Sequence, residues 1–138
     1  MNRAPYVSVV GSGEASGELY EKAREVGRLV AARGATEAGG VAIGILPDED
    51  RESANEYLTY SIPTGTGHAR NLAVVCSGDV VVAVGGEYGT LSEIGLALKV
   101  GRSVVALMSW DLGEHVTAAS SPQEAVEAAF ARLRGNVG

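Results

Sequence analysis

Three glycine-rich segments contain the residues that could bind an anion. They are Gly11-Ser12-Gly13, Thr64-Gly65-Thr66-Gly67 and Gly85-Gly86-Glu87-Tyr88-Gly89-Thr90, and each follows an extended segment and precedes a helical pattern. Glycine lets backbone N–H groups approach an anion at a helix start, where the helix dipole favours negative charge. We therefore predict a small phosphorylated ligand at these loops. Its predicted contacts are Gly11, Ser12, Gly13, Thr64, Gly65 and the six residues from Gly85 to Thr90.

The glycine patterns also exclude two common nucleotide sites. Gly11-Ser12-Gly13 is followed by Ser16-Gly17, which does not complete a G-x-G-x-x-G fingerprint, and the segment from Gly85 to Thr90 lacks the lysine of a P-loop. Neither an NAD site nor a Walker-type ATP site is predicted. Each loop taken alone fits a plain turn, and only the three together favour a ligand.

Glu93 has two interpretations. Thr90-Leu91-Ser92-Glu93 matches a capping box, in which Glu93 adds about 1 kcal/mol to helix stability. The alternative is a carboxylate that faces the ligand. Arg70 lies in the first turn of a predicted helix, where a cation opposes the dipole. This position favours an anion contact, and the alternative is an exposed arginine that forms a surface ion pair.

The surrounding pattern alternates strands and helices. Buried strands are predicted at Tyr6–Val10, Val41–Leu46, Val80–Val84 and Ser103–Leu107, with short edge strands at Tyr57–Ile62 and His115–Ala118. Helices are predicted at Glu18–Arg33, His68–Cys76, Thr90–Val100 and from Ser121 to Arg134, with Cys76 in the core. This order predicts an α/β fold with a doubly wound, mostly parallel sheet in three α/β/α layers, as a single domain over residues 1–138.

Composition limits the partners. The net charge of −6 argues against an extended nucleic-acid surface, and no apolar run is long enough to span a membrane. The single cysteine excludes an internal disulfide, and no metal site is predicted. The start of the chain does not resemble a signal peptide, so we expect a cytoplasmic protein. Apolar helix faces that exceed what one small sheet covers suggest a homo-oligomer, a dimer or a tetramer.

The motifs together resemble a known family. Pro63-Thr64-Gly65, His68-Ala69-Arg70-Asn71, Asp79 before a valine run, and GGEYGTLSEI are similar to the Rossmann-like LOG-type family, whose members were long mislabelled lysine decarboxylases. Within it the chain most resembles the branch of molybdenum-cofactor-carrier-like proteins. The resemblance covers about Tyr6 to Trp110.

The resemblance implies several functions. The first is a binding or carrier protein for a nucleoside monophosphate or a molybdopterin-type cofactor, which is its ligand and not a required catalytic cofactor. The alternative is a phosphoribohydrolase that releases free base and ribose 5-phosphate. It implies that Gly85, Gly86, Gly89 and Thr90 bind phosphate, while Glu93 and Arg70 are catalytic if the protein is a hydrolase. A third possibility is a non-catalytic oligomeric module.

The chain departs from the family pattern in three places. Val84 replaces the proline of the hydrolases' P-G-G-x-G-T motif, and Asn71 replaces the lysine of their R-K pair. The resemblance also implies a strand and a G-G-x-x-G-x-M loop after the first helix, but here Ala35 runs directly into Thr36.

Overall fold

A computed structural model describes residues 6–11, 17–30, 43–46, 60–63 and 70–135. The strands are β1 (Val7–Gly11), β2 (Ile43–Leu46), β3 (Tyr60–Pro63), β4 (Val80–Val84), β5 (Ser103–Leu107) and β6 (Thr117–Ala119). The α-helices are α1 (Glu18–Val30), α2 (Arg70–Ser77), α3 (Tyr88–Lys99) and α4 (Pro122–Gly135), and a 3₁₀ helix covers Gly113–His115. The junction between Ala35 and Thr36 lies outside the described residues.

The described strands form parallel sheets. A four-stranded sheet has the order β1-β4-β5-β6, and β2 pairs with β3 in a second, two-stranded sheet. Every described pairing is parallel. The short strand expected at His115–Ala118 is β6, which begins at Thr117 and pairs with β5. The prediction of a mostly parallel α/β fold is confirmed.

Helices cover both faces of the four-stranded sheet. One core cluster joins α1 and α4 to β4 and β5, with Val26 and Val126 among its buried members. The second cluster places Val75 of α2 and Ile94 of α3 against the opposite face. All five residues of β4 are buried, which is typical of a central parallel strand. The molecule therefore has the expected three α/β/α layers.

The helix ends agree with their local sequence, except at the start of α3. At the start of α4, the Glu124 backbone N–H donates to Ser121 Oγ at 3.1 Å, as the predicted cap requires. Gly101, with φ of 80°, terminates α3 as expected. However, α3 begins at Tyr88 and not at Thr90. Cys76 is exposed, so its predicted place in the core is wrong.

No helix in the described ranges combines the length and apolar character needed to cross a membrane.

Candidate functional site

The carboxyl ends of three neighbouring strands meet at one edge of the sheet. Gly11 of β1 is in register with Val84 of β4, and Val84 is in register with Leu107 of β5. The Gly85 N–H donates to the Leu107 carbonyl at 2.9 Å, which extends this alignment into the following turn. Ligands of open α/β sheets bind beyond the carboxyl ends of the strands. This edge is therefore the candidate site.

Gly11 is required by the close approach of two strands. A Cβ atom at this position would lie 2.8 Å from the Val84 carbonyl oxygen, which is too close for any side chain. The predicted contact residue Gly11 thus has a structural reason to be glycine. It also lies at the carboxyl edge, as the sequence predicts for a ligand contact.

The turn after β4 depends on two consecutive glycines. Gly85 and Gly86 have φ values of 56° and 98°, in the region that side chains disfavour. A Cβ atom on Gly86 would overlap the side chain of Thr90, which is only 2% exposed. The Gly85-Gly86 turn therefore packs its backbone directly against Thr90.

The structure contradicts the capping box proposed for Thr90 and Glu93. Glu87 is the N-cap of α3, its side chain makes no capping hydrogen bond, and Thr90 is already the third helical residue. The two positive-φ glycines redirect the chain early enough for the helix to start at Tyr88. Thr90 fills the space beneath Gly86 instead of capping the helix.

The start of α3 presents backbone donors at this edge. The Leu91 N–H donates to the Glu87 carbonyl at 3.0 Å, within the first turn of the helix. The N–H groups of the three preceding helical residues have no acceptor within a regular α-helix. The side chain of the N-cap residue Glu87 does not cap them either. The helix start is therefore suited to bind an anion.

Glu93 is a buried carboxylate on the same face of α3 as Thr90. It is 5% exposed, and its neighbours on the helix include the fully buried Ile94 and Ala97. Residues three apart on a helix are adjacent on its surface. Glu93 therefore lies next to Thr90 on α3, about one helical turn further from the glycines. A carboxylate is rarely buried without a specific role in binding or structure.

An aromatic pair lies beside the glycine turn. The ring of Tyr88 is 5.7 Å from that of Trp110, measured between centroids, with 34° between their planes. The indole Nε1–H of Trp110 donates to the Glu87 carbonyl at 3.0 Å. Sequence reasoning proposed Tyr88 as a ligand contact but did not assign Trp110 to the site. Its only sequence signal was that Trp110 is the sole tryptophan and follows a predicted strand.

Met108 is a second residue that sequence reasoning missed. It follows β5 at the same edge, has φ of 50° and is 49% exposed. Left-handed backbone at a residue other than glycine costs about 1–2 kcal/mol and is common near functional sites. No feature of the local sequence predicts it.

Several predicted site residues lie beyond what the structure describes. Arg70 is the first residue of α2, which agrees with its predicted place in the first turn. Its side chain is not described, and neither are Ser12, Gly13, Thr64 and Gly65. Among the predicted site residues that are described, Gly11 and the segment from Gly85 to Glu93 lie at the same edge of the sheet. Within the described ranges, no group of three or more His, Cys, Asp or Glu side chains is placed to hold a metal ion.

Parallel strands covered on both faces, with a glycine turn at their carboxyl edge, define a Rossmann-like α/β protein. The chain belongs to the SLOG cluster4 family, whose model matches residues 30–132. The resemblance to LOG-type proteins of the molybdenum-cofactor-carrier-like branch is confirmed.

Similar proteins are known from an archaeon, a bacterium and an alga. A protein of Archaeoglobus fulgidus is 36% identical over an alignment that covers 87% of this chain and 91% of that protein. The molybdenum cofactor binding protein of the phototrophic bacterium Rippkaea orientalis is 32% identical, with a TM-score of 0.76 and coverage of 95% of this chain and 98% of that one. The molybdenum cofactor carrier protein of Chlamydomonas reinhardtii is 29% identical, with a TM-score of 0.73 and coverage of 96% and 99%.

Proposed function

We propose that this protein binds and carries a phosphorylated ligand of the molybdenum-cofactor type at the carboxyl edge of its sheet. The observation that carries the proposal is the Gly85-Gly86 turn, which leads into the N-terminus of α3. Support also comes from the similarity to a cofactor binding protein and a carrier protein, which extends over nearly the whole of each chain.

The electrostatics of the chain are compatible with a local phosphate site. A protein of net charge −6 does not attract anions through its overall field. Backbone N–H groups at a helix start bind phosphate through directed hydrogen bonds and the helix dipole, and so they need few cationic side chains. Gly89 lies in the first turn of α3, where it is exposed and where an added Cβ atom would meet no neighbouring atom within 4 Å.

Gly89→Glu tests this site without disturbing the fold. A carboxylate in the first turn of a helix stabilises that helix, but it repels a phosphate bound there. Gly95→Glu is the matched control, because Gly95 is exposed on the same helix, also with open space around it, and lies away from the helix start.

The measurement is a calorimetric titration with molybdenum cofactor, AMP and ribose 5-phosphate. We expect wild type and Gly95→Glu to bind at least one of these probes, and Gly89→Glu to lose at least about 10-fold in affinity, which corresponds to about 1.4 kcal/mol. Failure of the wild-type protein to bind any probe would contradict the proposal, as would equal affinities of the two variants.

A second candidate function is hydrolysis of nucleoside 5′-monophosphates to free base and ribose 5-phosphate. The burial of Glu93 one helical turn from Thr90 favours it, because a carboxylate is rarely buried without a specific role in binding or structure. A carboxylate near the ribose would stabilise an oxocarbenium-like transition state or orient the attacking water.

Chromatography of reaction mixtures separates the two functions. If the hydrolase function is correct, the wild-type protein releases free base from at least one nucleoside monophosphate, and Glu93→Gln slows release at least about 100-fold, within the range of a lost general acid or base. The absence of free base across a panel of purine and pyrimidine monophosphates rejects hydrolysis and leaves binding alone.

A further inference from the structure

We propose that Tyr88 and Trp110 form a stacking surface for a planar heteroaromatic ring of the ligand. This inference rests on the proposed function for the phosphate end of the ligand, and it adds the chemical class of the other end. Tyr88 and Trp110 are called the aromatic pair below.

Tyr88 connects the aromatic pair to the anion site. It is the first residue of α3, so its backbone belongs to the helix start that follows the glycine turn. Its side chain is 79% exposed, although a tyrosine ring gains free energy when it is covered. One residue thus offers a backbone N–H at the predicted phosphate position and an exposed ring beside it.

Trp110 holds the pair in place. Its indole N–H donates to the Glu87 carbonyl at 3.0 Å, and the same carbonyl accepts the Leu91 N–H of α3 at 3.0 Å. The Trp110 side chain also packs against the core cluster that contains Ile94. Tyr88 lies against this anchored ring with a centroid separation of 5.7 Å. A surface ordered before binding reduces the entropy cost of holding a ligand.

The size of the exposed surface fits a small molecule better than a protein. Within the described ranges, Tyr88 and Met108 are the exposed large hydrophobic residues that closely follow β4 and β5. A stable interface between proteins buries about 800 Å² on each partner, far more than two side chains provide. A flat heterocycle needs only an aromatic face, because stacking is available to every π system.

Affinity measurements with and without the ring test the proposal. The ring-bearing probes are AMP, molybdenum cofactor and unphosphorylated pterin, and the ring-free probe is ribose 5-phosphate. We expect Tyr88→Ala and Tyr88→Leu to weaken ring-bearing probes at least about 5-fold, the lower bound for a stacked base, while Tyr88→Phe stays near wild type. Affinity for ribose 5-phosphate stays within about 2-fold in all three variants, because their backbone is unchanged.

Fluorescence provides a direct second measurement. Trp110 is the only tryptophan in the chain, so its emission reports on this site alone. We expect ring-bearing probes to quench the emission of the wild-type protein and ribose 5-phosphate to leave it unchanged. Tyr88→Ala should require a higher concentration of the ring-bearing probe for the same quenching.

The outcomes separate this inference from the proposed function. If Tyr88→Ala leaves AMP, molybdenum cofactor and pterin binding unchanged while ribose 5-phosphate still binds, the aromatic inference is wrong and the phosphate site stands. If pterin binds in a manner that depends on Tyr88 but no phosphate probe competes with it, the inference stands and the proposed function is wrong. A change in sedimentation of Tyr88→Ala without a change in affinity would show that the pair covers a second copy of the chain, and this also overturns the inference.

Discussion

At the level of single residues, the lack of a side chain on Gly86 leaves room for the side chain of Thr90. A side chain on Gly86 would occupy the space of Thr90, and the backbone of Gly86 already has φ of 98°. Thr90 is 2% exposed beneath this turn, with Glu93 one helical turn further along. Two polar side chains are thus buried next to a backbone conformation that few residues adopt, which is typical of a site under functional constraint.

Gly86→Ala should separate steric overlap from backbone strain. We expect a loss of about 2–5 kcal/mol in the free energy of unfolding, because strain at positive φ and overpacking add together. Gly101→Ala is the matched control, since Gly101 has φ of 80° but no atom within 4 Å of the place that a methyl group would take. The control should lose only about 1–2 kcal/mol from strain. Urea denaturation measures both, and equal losses would show that the Thr90 contact is unimportant.

The candidate site is formed by the ends of secondary-structure elements. The carboxyl ends of β1, β4 and β5 share one edge, and the glycine turn places the start of α3 there. The other end of α3 is closed by hydrogen bonds from the Gly101 N–H to the Leu98 carbonyl at 3.1 Å and from the Arg102 N–H to the Ala97 carbonyl at 2.8 Å. These bonds form a Schellman motif, which terminates α3 before β5 begins.

The cap of α4 gives a prediction at the scale of elements. Ser121 Oγ accepts the Glu124 N–H at 3.1 Å, with Pro122 at the first helical position. Ser121→Ala should lower the free energy of unfolding by about 1 kcal/mol, because the N–H loses its acceptor. Ser121→Asp retains an acceptor and should remain near wild type. Thermal and urea unfolding, followed by circular dichroism, measure the stability of both variants. Equal losses in the two variants would show that the Ser121 side chain does not stabilise α4 as a cap.

At the scale of the whole molecule, β4 divides the core into two halves. Val80, Val82 and Val84 pack with α1 and α4, whereas Val81 and Ala83 pack with α2 and α3. Helices cover β4 on both faces of the sheet, and all five of its residues are buried. The strand that leads to the glycine turn is therefore packed on both sides. This arrangement gives the site a rigid base although the site itself consists of turns and helix ends.

Substitutions of two adjacent residues of β4 test whether both faces of this strand are buried in the core. Val81 and Val82 are both fully buried but belong to opposite clusters. Val81→Ala and Val82→Ala should each cost about 2–3 kcal/mol, because each leaves a cavity and removes apolar contacts. Val100→Ala, at a residue 37% exposed, should cost less than about 1 kcal/mol. A small loss at only one of the two strand positions would show that one face of the sheet is open.

Sequence patterns predicted the elements of this fold because those patterns are local. Uniform burial of a valine run, helical spacing and the Ser121-Pro122 start depend on residues that are neighbours along the chain. The same reasoning failed at Thr90, where a capping-box pattern was present but the preceding glycines started the helix two residues earlier. It also failed at Cys76, which lies on the exposed side of a short helix.

The sequence by itself determined the parallel α/β architecture, the glycine turn after β4 and the family to which the chain belongs. Only the tertiary structure showed that Trp110 reaches the start of α3 and supports Tyr88. Glu87 and Trp110 are 23 residues apart in sequence. They meet because β4 and β5 pair in parallel and end at the same edge, and that register is a property of the assembled sheet.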